Sequence, residues 1–200
     1  MSCINSLIQQ LYMIPSFRKG ILESEFITED THKSSLYYLR LLFGRLKENK
    51  RDYYDALYLC SSIKDREGNS LPIYNESDPD ELFSLLMDQL AIDLESTNNS
   101  KLIDEVFRGS FSSEVICRDC PHRYEVREEF ISLSFQTKRK KDLIEALNEF
   151  TKTETLAGNK SYYCTKCNTK VHAKARISLV VLPNVLVVSL KELPSSLQTK

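Results

Sequence analysis

The chain has 200 residues, of which 42% are apolar, and this length and composition suit one folded domain and argue against disorder. Its 27 basic and 28 acidic residues nearly cancel, whereas a non-specific nucleic-acid binder carries a basic excess. The longest apolar stretch, residues 177–190, is interrupted by polar residues and by Pro183, which excludes a membrane span there. Residues 1–15 lack a basic leader, so we expect no secretion signal and a cytoplasmic or nuclear location.

Helical patterns dominate the first half of the chain. Residues 4–13 and 36–46 place their apolar side chains on one face at helical spacing, and Pro15 ends the first of these helices. A third helix is expected over residues 78–94. Asp78 can cap its free amides, and the proline that follows loses no hydrogen bond at the first helical position.

The remaining segments of the chain are predicted to be loops, strands and two further helices, one in each half of the chain. Residues 24–34 and 96–100 are polar and are predicted to be loops or linkers, residues 47–75 predict no definite element, and residues 101–107 suit a short helix. In the second half, residues 142–151 have helical spacing. Alternating or β-branched residues there are typical of strands, and these segments are 111–117, 124–135, 175–182 and 184–191.

Four of the six cysteines form two CxxC pairs, Cys117 with Cys120 and Cys164 with Cys167. A structural zinc site needs four thiolate or imidazole ligands in a tetrahedron, and two residues between cysteines form a tight knuckle that points both sulfurs at one ion. Each pair lies between predicted strands. The sequence therefore predicts a zinc ribbon, in which two hairpin tips meet at one structural zinc ion.

Other interpretations of these cysteines have weaker support from the sequence. A redox CxxC pair of the thioredoxin type follows a strand and opens a helix, and neither pair has that setting. Buried unpaired cysteines are a further alternative. His122 and His172 lie close to the knuckles, but two complete cysteine pairs make them unnecessary as ligands, and we expect both to be ordinary surface residues.

Three further segments appear in a fixed order around the cysteine pairs. INSLIQQLYMIP at residues 4–15 resembles the helix after the catalytic cysteine of ubiquitin-specific proteases, where the motif is Cys-Tyr-Met-Asn-Ser followed by Leu-Gln-x-Leu. ESDPDELFSLLMDQL at 76–90 is similar to that family's Gln-x-Asp-Ala-x-Glu-Phe helix. LPNVLVVSLKEL at 182–193 is similar to its Leu-Pro-x-Val-Leu-x-Ile-x-Leu-Lys-Arg-Phe strand. The stretches FRGSF and CPHRYE look closest to the large, X-linked-type subfamily.

The resemblance implies an α+β, papain-like fold with a thumb, a palm and fingers, truncated at both ends over residues 1–200. Residues 1–110 would be the helical thumb, and residues 111–200 the zinc-ribbon fingers with the start of the palm. The family hydrolyses the bond after ubiquitin's C-terminal glycine by attack of a cysteine thiolate that a histidine activates. The implied cofactor is structural zinc. The implied partners are ubiquitin and ubiquitinated proteins, with no nucleic acid and no membrane.

The catalytic residues depart from the family pattern. The family's nucleophile lies three positions before the residue matched by Asn5, which is Ser2 here, and Cys3 falls at the family's tyrosine. An offset of one residue on a helix turns a side chain by about 100°. In a second alignment Cys3 is the catalytic nucleophile, and the positive end of the helix favours its thiolate. The family's histidine box follows the last matched strand, whereas this sequence stops at Lys200.

The remaining candidates leave three functional hypotheses open. His32, His122 and His172 match regions that do not hold the family's base. Asp78 matches the family's aspartate that contacts the ubiquitin tail, and it suits a plain helix cap equally well. The alternatives are a deubiquitinase domain that is inactive or incomplete as it stands, a non-catalytic ubiquitin-binding pseudoenzyme, and a zinc-ribbon interaction module.

Overall fold

The computed structural model of the chain divides into two compact units, Met1–Val106 and Phe107–Lys200. The first unit is helical, and the second combines strands with one α-helix. Within the described part of the chain, no helix is both long and apolar enough to cross a bilayer. The structure describes residues 2–26, 34–48, 54–65, 67–70, 78–136 and 142–191.

The first unit packs its helices around fully buried aromatic and aliphatic side chains. Phe43 is completely buried, and the rings of Tyr12 and Phe17 meet it edge-on with centroid distances of 5.3 and 6.2 Å. This T-shaped geometry suits the quadrupoles of aromatic rings. The helices are α1 (Ser2–Met13), α2 (Pro15–Glu23), α3 (Ser35–Glu48), α4 (Leu57–Ser62), α5 (Pro79–Glu95) and α6 (Leu102–Phe107).

The helices predicted from the sequence are present as α1, α3, α5 and α6, and the helix predicted over residues 142–151 is present in the second unit as α7 (Leu143–Phe150). Pro15 does end α1, and it also opens α2, which the sequence analysis missed. Helix α4 was missed as well, because its six residues are too few for a periodic pattern to stand out. Of the predicted loop at 24–34, only residues 24–26 and 34 are among the described residues.

The predicted linker at residues 96–100 has a structural role, because its side chains bind the end of α2. The Asn98 side-chain oxygen accepts a hydrogen bond from the Glu25 backbone N–H at 2.9 Å. The Asn99 side-chain amide donates to the Gly20 carbonyl at 3.0 Å. Carbonyls in the last turn of a helix have no partner within the helix, so these asparagines supply one from a distant part of the chain.

A carboxylate on α5 caps the start of α3 by accepting a hydrogen bond from its backbone. The Asp93 Oδ2 atom accepts a hydrogen bond from the Leu36 backbone N–H at 2.9 Å, within the first turn of α3, where amides lack helical partners. Burial raises the pKa of Asp93 despite this hydrogen bond. Asp93 therefore caps a helix to which it does not belong and joins α3 to α5.

We expect Asp93→Ala to lower the free energy of unfolding by about 1 kcal/mol, the usual cost of losing an N-cap side chain. Asp93→Asn should recover most of that loss, because its amide oxygen can still accept from Leu36. Urea unfolding followed by circular dichroism gives the values, with the exposed Asp88 on the same helix changed to Ala as the control. An Asp93→Ala midpoint equal to that of the control would contradict the assignment.

The second unit contains a four-stranded antiparallel sheet in the order β2-β1-β7-β4. Strands β3 and β8 form a parallel pair, and β5 and β6 form a hairpin. A small core of Phe130, Leu133, Phe135 and Ala146 joins β2 and β3 to helix α7. The elements are β1 (Gly109–Cys117), β2 (Arg123–Phe130), β3 (Leu133–Gln136), α7 (Leu143–Phe150), β4 (Glu154–Leu156), β5 (Tyr162–Cys164), β6 (Thr169–Val171), β7 (Ala173–Val181) and β8 (Val188–Lys191).

A buried carboxylate on β1 connects three strands of the larger sheet. The Glu114 side chain is only 6% exposed and pairs with Arg123 and with Arg176, whose Nε lies 2.6 Å from Oε2. In the register, Glu114 lies opposite Arg176 on β7 and beside the β2 end that carries Arg123. A one-residue slip of a strand would move its side chain to the other face, so these ion pairs favour the observed register.

We expect Glu114→Gln to lower the urea midpoint near neutral pH, because both guanidinium groups lose their carboxylate partner. The Arg176 hydrogen bond holds the pKa of Glu114 below its usual range. The stabilisation is therefore complete above the unfolded-state pKa of about 4.3 and is lost as pH falls through the lower folded-state value.

The midpoint difference between wild type and Glu114→Gln should accordingly shrink as the pH is lowered toward about 3. Glu128→Gln, which changes an exposed carboxylate on β2, is the matched control and should have little effect at either pH. A difference for Glu114→Gln that stays constant with pH would contradict the ion-pair explanation.

Candidate metal centre

The four cysteines of the two CxxC pairs converge on one point in the second unit. Cys117 is the last residue of β1, and Cys164 is the last residue of β5. Cys120 and Cys167 lie in the turns that follow these strands. All four Sγ atoms lie within 4.8 Å of one another. The structure thus brings together all four of the predicted metal ligands, at the tips of the β1–β2 and β5–β6 hairpins.

The spacing of the sulfurs fits a tetrahedral zinc ion. Sγ of Cys117 lies 3.9 Å from that of Cys167, and Sγ of Cys120 lies 3.7 Å from that of Cys164. A tetrahedron with Zn–S bonds of about 2.3 Å has sulfur–sulfur edges of about 3.8 Å. Four thiolate ligands fill the coordination shell and leave no position for a reacting water, so the donor set suits a structural ion.

Backbone hydrogen bonds shape the first knuckle, which we define as residues 117–120. The Cys117 N–H donates to the His122 carbonyl at 3.1 Å, and the Arg118 N–H donates to the His172 carbonyl at 3.1 Å. The Asp119 N–H points at the Cys117 sulfur at 3.4 Å. The first two hydrogen bonds close the turn and tie it to the chain just before β7. The Asp119 N–H places one positive dipole near a sulfur that carries negative charge when it binds metal.

The second knuckle, residues 164–167, depends on an unusual backbone conformation just after it. Asn168 has a φ of 53° and is the only non-glycine among the described residues with positive φ. Asparagine tolerates this left-handed region better than most residues. Its side-chain oxygen also accepts a hydrogen bond from the Tyr163 hydroxyl at 2.6 Å. The left-handed conformation of Asn168 was not predicted from the sequence, although an asparagine directly after a CxxC pair is a recognisable turn signal.

The four cysteines differ in how deeply they are buried. Cys117 and Cys164 are buried, with 6% and 0% of their surface exposed, whereas Cys120 and Cys167 are half-buried. Burial would raise the pKa of Cys164, but the backbone N–H groups of Cys167 and Lys166 and the neighbouring sulfurs lower it to about 7. The neighbouring Cys120 sulfur raises the pKa of Cys167. One thiol of the cluster is thus ready to ionise near neutral pH.

The cluster of possible metal ligands consists of the four cysteines and does not include the two nearby histidines. The side chain of His172 is exposed, as predicted. His122 differs from the prediction, because it is half-buried and its Nε2 lies 3.5 Å from the Thr165 hydroxyl. Its ring therefore connects the two knuckles instead of projecting freely from the surface.

The remaining predicted site residues belong to the helical unit. Cys3 is half-buried in the first turn of α1, which begins at Ser2. Asp78 is exposed and caps α5, because its Oδ1 accepts from the Asp80 N–H at 2.9 Å. The predicted cap is thus present, while the catalytic role of Cys3 and the ubiquitin-tail role of Asp78 stay predictions. Cys60 is a buried thiol whose pKa is raised by burial, so it is poorly reactive.

The sequence as a whole matches one protein family, ubiquitin carboxyl-terminal hydrolase, across residues 1–200. The chain belongs to this family. It is 33% identical over 187 residues to ubiquitin carboxyl-terminal hydrolase 24 of Homo sapiens, covering 94% of this chain and 7% of that protein. It is 29% identical over 232 residues to ubiquitin carboxyl-terminal hydrolase 9X of Mus musculus, covering 94% and 9%.

A third relative shows a similar identity and coverage. Over 184 residues the chain is 29% identical to ubiquitin carboxyl-terminal hydrolase 34 of Homo sapiens, covering 90% of this chain and 5% of that protein. The chain spans less than a tenth of the length of these curated relatives. The family predicted from the ordered motifs is confirmed, and so is the α+β class of the ubiquitin carboxyl-terminal hydrolase fold, with its clustered cysteines.

We expect Asn168→Val to weaken zinc binding, because a β-branched side chain at positive φ costs on the order of 1–3 kcal/mol. Asn168→Gly should keep the turn but lose the hydrogen bond from Tyr163. Tyr163→Phe removes the same hydrogen bond without changing the backbone and is the matched control. Competition with a chromogenic zinc chelator ranks the affinities. A Val variant that binds zinc as tightly as the Gly variant would contradict the role of the left-handed turn.

Proposed function

We propose that this chain binds ubiquitin as a zinc-stabilised domain of the deubiquitinase family, and that it does not hydrolyse ubiquitin conjugates on its own. The observation that carries the proposal is the match to the ubiquitin carboxyl-terminal hydrolase family over the whole chain. No separate observation supports the alternative hypothesis of a zinc-ribbon module that binds nucleic acid or acts as a scaffold. The proposed partners are ubiquitin and ubiquitinated proteins.

Zinc is the metal that the four sulfurs suit best. A cluster of four cysteines with sulfur–sulfur distances of 3.7 and 3.9 Å combines soft ligands with tetrahedral geometry, a combination that favours zinc over magnesium or calcium. Zinc would hold the β1–β2 hairpin against the β5–β6 hairpin. We propose that its role is to fix the fingers region and that it takes no part in the reaction.

The larger sheet offers one face to a globular partner. The register places Val115 beside Tyr124 of β2, and Ser113 beside Val126 of β2 and Ile177 of β7, all on the same face. These apolar side chains are half-exposed or, for Tyr124, 53% exposed. The opposite face carries charged residues that satisfy one another. We propose that the apolar face grips ubiquitin.

The start of α5 supplies a second contact in this proposal. Asp78 is exposed and uses Oδ1 for the helix cap, which leaves its other carboxylate oxygen for a partner. The match with the family's aspartate motivates the assignment to the ubiquitin tail.

Catalysis by this chain alone has less support than binding. The thiol of Cys3 lies in the first turn of α1. However, the two histidines among the described residues, His122 and His172, both lie beside the metal centre. A thiolate without a positioned acid–base partner lacks the group that protonates the leaving amine.

Titration calorimetry with ubiquitin tests the binding proposal. We expect heat of binding for the zinc-loaded chain and a loss of affinity of at least about tenfold for Tyr124→Ala, since buried aromatic anchors dominate such interfaces. Arg127→Ala changes an exposed residue on the opposite face of the same strand and is the matched control. Absence of binding up to millimolar ubiquitin, with the chain folded and zinc-loaded, would overturn the proposal.

The same titration separates the two roles of Asp78. Asp78→Asn keeps a capping side chain but removes the charge, so we expect weaker ubiquitin binding with an unchanged urea midpoint. Asp78→Ala should lose both binding and stability. If Asp78→Asn binds ubiquitin as tightly as wild type, the tail contact is wrong and only the cap is left.

A ubiquitin with a C-terminal electrophile tests the absence of catalysis. We expect no covalent adduct with the chain, and Cys3→Ser serves as the control for any thioether that forms. An adduct located at Cys3 by peptide mapping would overturn the non-catalytic part of the proposal and establish Cys3 as the nucleophile.

A further inference from the structure

We propose that the metal centre is also a site of reversible oxidation, at which a hydroperoxide converts the four zinc-bound thiolates into two disulfides that cross between the knuckles, Cys120–Cys164 and Cys117–Cys167. The inference rests on the zinc-loaded state proposed above. It concerns a reaction of the structural cysteines and is independent of ubiquitin binding and of Cys3.

The arrangement of burial points to this pairing. Each knuckle contributes one buried and one half-buried sulfur. The half-buried Cys120 lies 3.7 Å from the buried Cys164, and the half-buried Cys167 lies 3.9 Å from the buried Cys117. Each sulfur that a small oxidant can reach therefore has a sheltered sulfur of the opposite knuckle beside it. A protected thiolate next to an exposed one is the arrangement that captures a first oxidation product.

The reaction balances with a hydroperoxide as the only oxidant. The Cys120 thiolate attacks one peroxide oxygen, so a sulfur–oxygen bond forms, the oxygen–oxygen bond breaks, and hydroxide or alkoxide leaves. The Cys164 thiolate then attacks the sulfenic sulfur, a disulfide forms, and hydroxide leaves. Two sulfurs are oxidised and one peroxide is reduced. The Cys117–Cys167 pair consumes a second peroxide in the same way, and the zinc ion, without its ligands, enters solution.

Whether the second unit stays folded after oxidation depends on which cysteines form the disulfides. The sulfurs of each pair must approach to about 2.05 Å, a movement of less than about 2 Å that side-chain rotation can supply after zinc leaves. Disulfides across the knuckles keep the β1–β2 and β5–β6 hairpins joined. Disulfides within each CxxC pair would leave the hairpins without a covalent link. The cross-knuckle pairing thus predicts an oxidised state that stays folded and regains zinc after reduction.

The sequence makes the two pairings easy to distinguish by mass spectrometry. Trypsin cuts after Arg118 and after Lys166, which lie inside the two CxxC pairs, so each of the four cysteines falls in its own peptide. Cys3 and Cys60 fall in two further peptides. The zinc content is measured first, hydrogen peroxide is then titrated into the zinc-loaded chain, and released zinc is followed with a chromogenic chelator. The products are digested without reduction.

We expect about one zinc released per chain, linked peptides for Cys120–Cys164 and Cys117–Cys167, and recovery of zinc binding after dithiothreitol and zinc are added. Cys60→Ser, which removes a buried thiol outside the site, should give the same peptides. Links within one CxxC pair, links to Cys3 or Cys60, irreversible sulfonic acids, or retention of zinc would each overturn the inference. A chain that holds no zinc before oxidation overturns the proposed metal site and this inference with it. A zinc-loaded chain without cross-knuckle links overturns this inference alone.

Discussion

Convergence of four sulfurs on one point is the constraint on which the second unit depends. The buried residues that cluster there are Cys117, Cys164 and Val171, which provide little apolar surface to hold two hairpin tips together. Four thiolates without a metal would also repel one another. A zinc ion bound by the four sulfurs would supply an attraction in place of that core, and in small zinc modules zinc binding contributes on the order of 10 kcal/mol to folding. The β5–β6 hairpin, with strands of three residues each, needs such a support most.

The metal centre and the Glu114 ion pairs act on the same strand from different positions. Cys117 ends β1 at the metal, and three residues earlier Glu114 binds Arg123 and Arg176 of the two adjacent strands. Glu114 and both arginines lie on one face of the sheet, and the half-exposed side chains of Val115, Val126 and Ile177 lie on the other. By favouring the observed register, the ion pairs help to determine which side chains of β1, β2 and β7 share each face.

Local signals were readable from the sequence, and contacts between distant segments were not. The two CxxC pairs, the Asp78 cap and the apolar spacing of α1, α3 and α5 each lie within one short window, and each was predicted correctly. Asp93 reaches α3 from α5, and Asn99 reaches α2 from the turn after α5. Such partners depend on how helices pack, which no window of sequence contains. The contact of His122 with Thr165 across the knuckles was missed for the same reason.

The metal site was easier to predict from the sequence than a catalytic site for the same reason. A CxxC pair carries half of a zinc site in four residues, so two hairpins complete the site with little help from the rest of the fold. A cysteine nucleophile instead needs a base and an oriented partner from separate elements, and the position of Cys3 in the first turn of α1 does not reveal either of them. The cluster of four sulfurs can therefore form from two short local motifs, whereas a cysteine nucleophile acts only when the packing of distant segments brings its partners to it.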